Sequence, residues 1–128
     1  MFEKLEVFQM SQAMARHAAL REGAIATNIA NADTPGYRAK DVVSFAESYR
    51  MEHAQPMRAT RAGHIGADGA YTISVSADPA SDATSPDGNG VSIEDEMVKA
   101  VDVKRQHDRA LAIYKSSLNV LRASLGRG

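Results

Sequence analysis

The chain has 128 residues, with 15 basic and 16 acidic side chains and a formal net charge of −1. One domain fits this length, and charge so evenly balanced argues against nucleic acid or an anionic membrane surface as a general electrostatic partner. It has no cysteine, which excludes disulfides, thiolate chemistry and cysteine-based zinc sites.

Residues 2 to 30 read as a long helix rich in Ala, Gln, Glu, Arg and Met, all good helix formers. Leu5, Phe8, Ala15, Ala19, Ala26 and Ile29 recur at helical steps and share one stripe, with Val7, Met10, Met14, Ala18 and Ile25 on the stripe beside it. Gly23 is a weak point, costing about 1 kcal/mol relative to Ala. Many stripe residues are small, which permits close helix approach but buries little area. Glu3, Lys4, Glu6, Arg16, Arg21 and Glu22 break up any secretory signal. No apolar run approaches the roughly 20 residues that cross a bilayer, so no direct membrane insertion is expected.

The helix then meets "NIANADTPGY", residues 28 to 37. Asn31 is a candidate for the left-handed conformation that often ends helices. Pro35 biases Thr34 away from helix, and Pro35-Gly36 suits the centre of a type II turn. A turn does not account for Asn28 together with Asn31. Three residues apart, they lie on one helix face. A paired carboxamide face makes sense when it hydrogen-bonds another chain segment.

The middle, from about 38 to 91, is poor in large apolar residues. Val42, Val43 and Phe45 suggest a short extended piece. Residues 62 to 76 read as a hairpin around Asp68-Gly69, with Tyr71, Ile73 and Val75 alternating with polar residues. Residues 77 to 90 have the composition of a linker. This part is expected to be a small, irregular insert.

The C-terminal segment reads as a second long helix, residues 93 to 125. Ser92 and Asp95 have the spacing of a capping box, and Gly126 ends the pattern. Ile93, Met97, Ala100, Lys104, His107, Leu111, Tyr114, Leu118, Leu121 and Leu125 alternate steps of 4 and 3, a heptad seam with two polar members. The fold class is therefore mainly α. Residues 1–31 and 92–128 pair as a coiled-coil-like core, and residues 32–91 carry the turn, the small β-containing insert and the linker.

Nothing points to catalysis. Residues 85 to 97 imitate a calcium loop, but Ser85, Pro86 and Ser92 fall where Asp and apolar positions are needed, and no helix leads in. A Gly-rich turn into a capped helix explains them. His17, His53, His64 and His107 form no i,i+4 pair, so no metal or cofactor is expected. Nucleic-acid binding has no patterned basic patch behind it. A lone helix pair leaves apolar surface exposed, and most helix stability comes from packing. The layout favours an assembly subunit over an enzyme.

Residues 28 to 45 resemble the signature of the bacterial flagellar rod and hook proteins: N-I-A-N, then T-P-G-Y, then an aromatic residue. Asn28, Ile29, Ala30, Asn31, Thr34, Pro35, Gly36, Tyr37 and Phe45 match it. "MRATRAGHI", residues 57 to 65, and "DGNGVSIEDEM", residues 87 to 97, resemble stretches of the short proximal rod proteins. The resemblance implies a non-catalytic subunit of the periplasmic rod in the flagellar basal body, exported by the flagellar type III apparatus without a cleaved signal and needed for motility. Its implied partners are copies of itself, other rod proteins, the membrane-ring protein, the basal adaptor and the export apparatus. Inter-subunit contacts are expected at Asn28, Asn31, Pro35, Gly36 and Tyr37. Other readings are another short rod protein, or a helical adaptor or export chaperone. The last explains the helices but not T-P-G-Y.

Overall fold

The computed structural model describes residues 2–54, 75–78 and 90–126. Helix α1 runs Phe2–Ala30, strand β1 Lys40–Val42, helix α2 Phe45–Ala54, strand β2 Val75–Ala77 and helix α3 Ile93–Leu125. The two long helices are where periodicity and caps place them. Ser92 has an extended backbone and its Oγ accepts from the Asp95 N–H at 3.4 Å, satisfying one of the donors every helix start leaves open. At the other end the Gly126 N–H donates to Arg122 O at 2.7 Å. At about 1.5 Å per residue, α3 is on the order of 50 Å long.

The helices pack antiparallel. The Phe8 ring meets the Tyr114 ring edge-on at 4.9 Å, Gln106 reaches His17, and Asn28 reaches Glu96. As one residue number rises the other falls, so a single register runs the length of the pair. The face that α3 turns to α1 is Glu96, Lys99, Val103, Gln106, Ala110, Tyr114 and Leu121, at steps of 3, 4 or 7. From α1 come Ser11, His17, Ala18, Ala24, Ile25 and Asn28. The apolar heart is small, Ala18, Ile25 and Val103. Of the largest fully buried side chains, His17, Glu96, Val103, Asn28 and Ser11, only Val103 is apolar. The interior of this pair is therefore largely polar.

The second N-terminal stripe faces inward through Ala18 and Ile25, whereas Leu5, Ala19, Ala26 and Ile29 of the first stripe lie outside. Helix α1 passes through Gly23 without a break, and the Thr27 hydroxyl donates to Gly23 O at 2.9 Å.

Two local expectations are corrected. Asn31 does not adopt the left-handed conformation, since among the described residues only Gly36 has positive φ, at 76°. The helix instead ends by tightening, the Asn31 N–H shared between Thr27 O at 3.1 Å and Asn28 O at 3.2 Å and the Ala32 N–H donating to Ile29 O at 3.2 Å. The type II turn forms as expected: Tyr37 N–H donates to Thr34 O at 3.2 Å, with Gly36 at its third position. Phe45 does not belong to an extended piece. It begins α2, which residues 38 to 91 were not expected to contain. The strand stops at Val42, and Ser44 caps α2, accepting from the Glu47 N–H through both its carbonyl (3.1 Å) and its Oγ (3.4 Å). Ser44 and Glu47 have the spacing of a capping box.

Of the hairpin expected over residues 62 to 76, residues 62–74 lie outside the described residues. Its described end belongs to β2, which pairs antiparallel with β1, Lys40 opposite Ala77 and Val42 opposite Val75. Arg38 and Gly90 form a parallel bridge that sets the start of α3 beside the turn.

Candidate functional site

Where α1 ends, the turn, both strands and the start of α3 converge on Asn28. Its side chain is fully buried. Oδ1 accepts from the Lys40 N–H at 2.9 Å and from Tyr37 Oη at 3.1 Å. Nδ2 donates to Lys40 O at 2.7 Å and to Glu96 Oε2 at 3.1 Å. Two donors and two acceptor sites are all a carboxamide has, and each is used within the chain. Toward Lys40 the side chain behaves like a neighbouring strand, matching both backbone polar groups of one residue. The Asn28 side chain is therefore engaged within the chain and presents no surface of its own.

Glu96 carries the junction onto α3. Its side chain is only 2% exposed, and it lies in the first turn of the helix, where the backbone dipole favours a negative charge. Lys99 Nζ lies 3.1 Å from its Oε1, 2.7 Å from Asp78 Oδ2 and 3.9 Å from Asp41 Oδ2. Arg21 grips the same Asp41, Nε to Oδ1 at 3.1 Å and Nη2 to Oδ2 at 3.4 Å. Burial works against the charge of Lys99, but its hydrogen bonds and charge interactions with Asp78 and Glu96 outweigh that and raise it above its ordinary value of 10.5.

A second polar contact lies along the helix pair. His17 Nε2 is 2.6 Å from Val43 O, which can only accept, so Nε2 carries the hydrogen. Nδ1 then accepts from Gln106 Nε2 at 2.9 Å, and Gln106 also donates to Met14 O at 3.3 Å. Phe45 packs edge-on to the His17 ring at 5.7 Å and stacks obliquely on Tyr49 at 5.5 Å. His17 therefore ties the lead-in to α2 onto both long helices.

The other expected positions divide by exposure. Asn31 is half-buried and acts locally, its Nδ2 donating to Thr27 O at 2.9 Å and its Oδ1 accepting from Thr34 Oγ1 at 3.3 Å. Ile29, Thr34, Pro35 and Gly36 are exposed, and Tyr37 and Phe45 are half-buried. Along the seam, Ile93, Met97, Ala100, Lys104, Leu111 and Leu125 face outward, while His107, Tyr114, Leu118 and Leu121 are half-buried. His107 Nδ1 is enclosed and makes no hydrogen bond to any described residue. The outward members arise because the α1-facing residues lie about one position before the seam in the first half of α3. Ile93, Met97, Val98 and Val101, 47–62% exposed, form an apolar strip on the far side of Glu96.

The sequence reading missed His17, Arg21, Asp41, Asp78, Lys99 and Gln106, and met Glu96 only inside a false calcium loop and the stretch at 87–97 that carries the resemblance. A signal was present: on α3, residues 96, 99, 103, 106 and 110 repeat as regularly as the seam, but three of the five are polar. Among the described residues no group of acidic or histidine side chains is arranged to hold a metal ion, and no helix is long and apolar enough to cross a membrane.

Two long helices joined by a polar junction, with apolar strips turned outward, define a helical assembly subunit. The family described as "Flagella basal body rod protein" matches residues 10–38, which span most of α1 and the turn after it. The chain is 31% identical over 118 residues to the flagellar basal body rod protein FlgB of Agrobacterium fabrum, covering 89% of this chain and 88% of that protein. It is also 31% identical over 107 residues to the FlgB of Cereibacter sphaeroides, covering 82% of each. The chain belongs to the FlgB family of flagellar basal body rod proteins. It is a structural protein of the rod and not an enzyme, and its role in motility follows from that membership.

Proposed function

We propose that the chain is a subunit of the proximal rod, the part of the shaft nearest the membrane, and that it transmits torque through contacts made by its outward apolar strips. The observation that carries this reading is the strip Ile93, Met97, Val98 and Val101, together with Leu111, left open on a helix whose other face is already packed. Side-by-side copies and other rod proteins supply the burial this strip lacks. The exposed part of the turn, Ile29, Thr34, Pro35 and Gly36, is a further contact surface. The membrane-ring protein, the basal adaptor and the export apparatus are the partners this position implies, with export to the periplasm and no cleaved signal.

Leu111→Asp separates assembly from folding. Leu111 is 40% exposed in the free chain, so the purified variant is expected to keep its helical circular dichroism. In an interface the new carboxylate is buried without a partner, a cost of several kcal/mol. The variant is expected to fail to restore swimming to a strain whose own gene is deleted, and to be absent from purified basal bodies. Normal swimming with Leu111→Asp would place the contact elsewhere, and normal rods in the deletion strain would remove the reading altogether.

A further inference from the structure

We infer that Asn28 and Glu96 form a register lock, a buried polar pair whose role is to admit only one alignment of α1 against α3. The apolar contacts between the helices choose poorly among alignments. The buried apolar residues are mostly alanines, with Ile25, Val42 and Val103 the larger ones. Ala110 and Val103 both face α1 one heptad apart, so sliding α3 by seven residues exchanges one small apolar contact for another. A polar pair is less forgiving. In the alignment that sets Ala110 against Ala18, Val103 comes opposite Asn28, which loses one of its four hydrogen bonds, and Glu96 is carried past the end of α1 away from its partner. A buried charge or amide without its partner costs several kcal/mol, which is how single polar positions fix register in helix pairs.

The lock also fixes more than two helices. Asn28 holds Lys40 and Tyr37, and Lys99, one turn after Glu96, holds Asp78 and Asp41. The turn, both strands and the start of α3 are therefore indexed to the same point. Residues that carry the family resemblance, from 28–45 and from 90–97, meet here, inside the chain. One consequence rests on the rod-subunit reading: the outward strip of α3 and the exposed turn keep one relative position in every copy, which a regular shaft requires. The alignment itself does not depend on that reading and is tested on the purified chain.

The absence of cysteine makes engineered cross-links unambiguous. Ala18 and Val103 are in the same buried cluster, whereas Ala110 lies seven residues, about 10 Å, farther along α3. A disulfide needs Cα atoms within about 7 Å. In the otherwise unchanged chain, the Ala18→Cys/Val103→Cys pair is expected to oxidise readily and the Ala18→Cys/Ala110→Cys pair at least about 10-fold less. With Asn28→Leu and Glu96→Leu added, both pairs are expected to oxidise to comparable extents. Glu96→Met alone, which keeps Asn28 bonded to Lys40 and Tyr37, is the second variant, read in the same way if the double-leucine chain loses its helical signal. Retention of the Ala18–Val103 cross-link alone in a helical variant would overturn the proposal. Loss of helix in both variants would overturn it too, because the pair would then hold up the fold and not its alignment.

Discussion

Asn28→Ala is expected to lower the unfolding free energy by about 3–5 kcal/mol. The substitution removes little apolar area. It leaves the Lys40 N–H, the Lys40 carbonyl, the Tyr37 hydroxyl and one Glu96 oxygen without their partner. Each buried polar group stranded in this way costs about 1–3 kcal/mol, reduced where water enters the space left behind. Asn28→Asp is expected to be at least as damaging despite its matching shape. The carboxylate still accepts from Lys40 and Tyr37, but it has no hydrogen to give Lys40 O or Glu96, and it sets a second negative charge about 3 Å from Glu96. Urea unfolding followed by circular dichroism reads both effects. A change below about 1 kcal/mol for Asn28→Ala would mean that the carboxamide is not buried as described.

Lys99→Met is expected to cost about 2–4 kcal/mol at neutral pH and also to change the shape of the pH dependence. Lys99 is the cation shared by Glu96, Asp78 and Asp41. Without it, the carboxylates of Glu96, Asp78 and Asp41 lose the cation they share, while Arg21 stays bound to Asp41. Removing one partner of a buried ion pair costs more than the pair contributes, because the remaining charge stays buried. The pH effect has a definite sign. The amino group titrates above 10.5 in the folded chain and near 10.5 in the unfolded one. Its contribution is therefore fully present below about pH 10.5 and is lost as pH rises through the higher folded value. The stability difference between the native sequence and Lys99→Met should be constant through the neutral range and shrink above about pH 10.5. A difference that grows with alkalinity would contradict the assignment of Lys99 as the shared cation.

How much of this was legible in the sequence depended on which kind of residue carried the signal. Helices α1 and α3 show strong periodicity, a serine cap and a terminal glycine, and the sequence places their ends well. The turn at Pro35-Gly36 was legible because only glycine takes a positive φ without strain. Helix α2 was missed although Ser44 and Glu47 mark its start, since Val42, Val43 and Phe45 drew attention to an extended reading. The pairing of β1 with β2 joins two three-residue strands far apart in sequence, and no local pattern encodes such a partner. The polar junction was the least legible part. An asparagine on a helix and a glutamate in an acidic first turn are ordinary surface residues by composition. They become core residues only because Lys40, Tyr37 and Lys99 arrive from other segments. For the same reason, a search for apolar periodicity settled on the strip Ile93, Met97 and Ala100 and passed over its polar neighbours Glu96 and Lys99, which face α1.

The central claim is that the family's signature residues act first within the chain, as the joint between its two helices. A double-mutant cycle on the purified chain with Asn28→Ala, Glu96→Ala and both together tests this most directly. Groups sharing one buried network couple by about 0.5–3 kcal/mol, while separate groups add within about 0.5 kcal/mol. The joint predicts a coupling above 1 kcal/mol, the second substitution costing far less once the first is made. Additive losses, or no loss from either substitution in the isolated chain, would contradict it and return Asn28 to the surface as a contact between subunits.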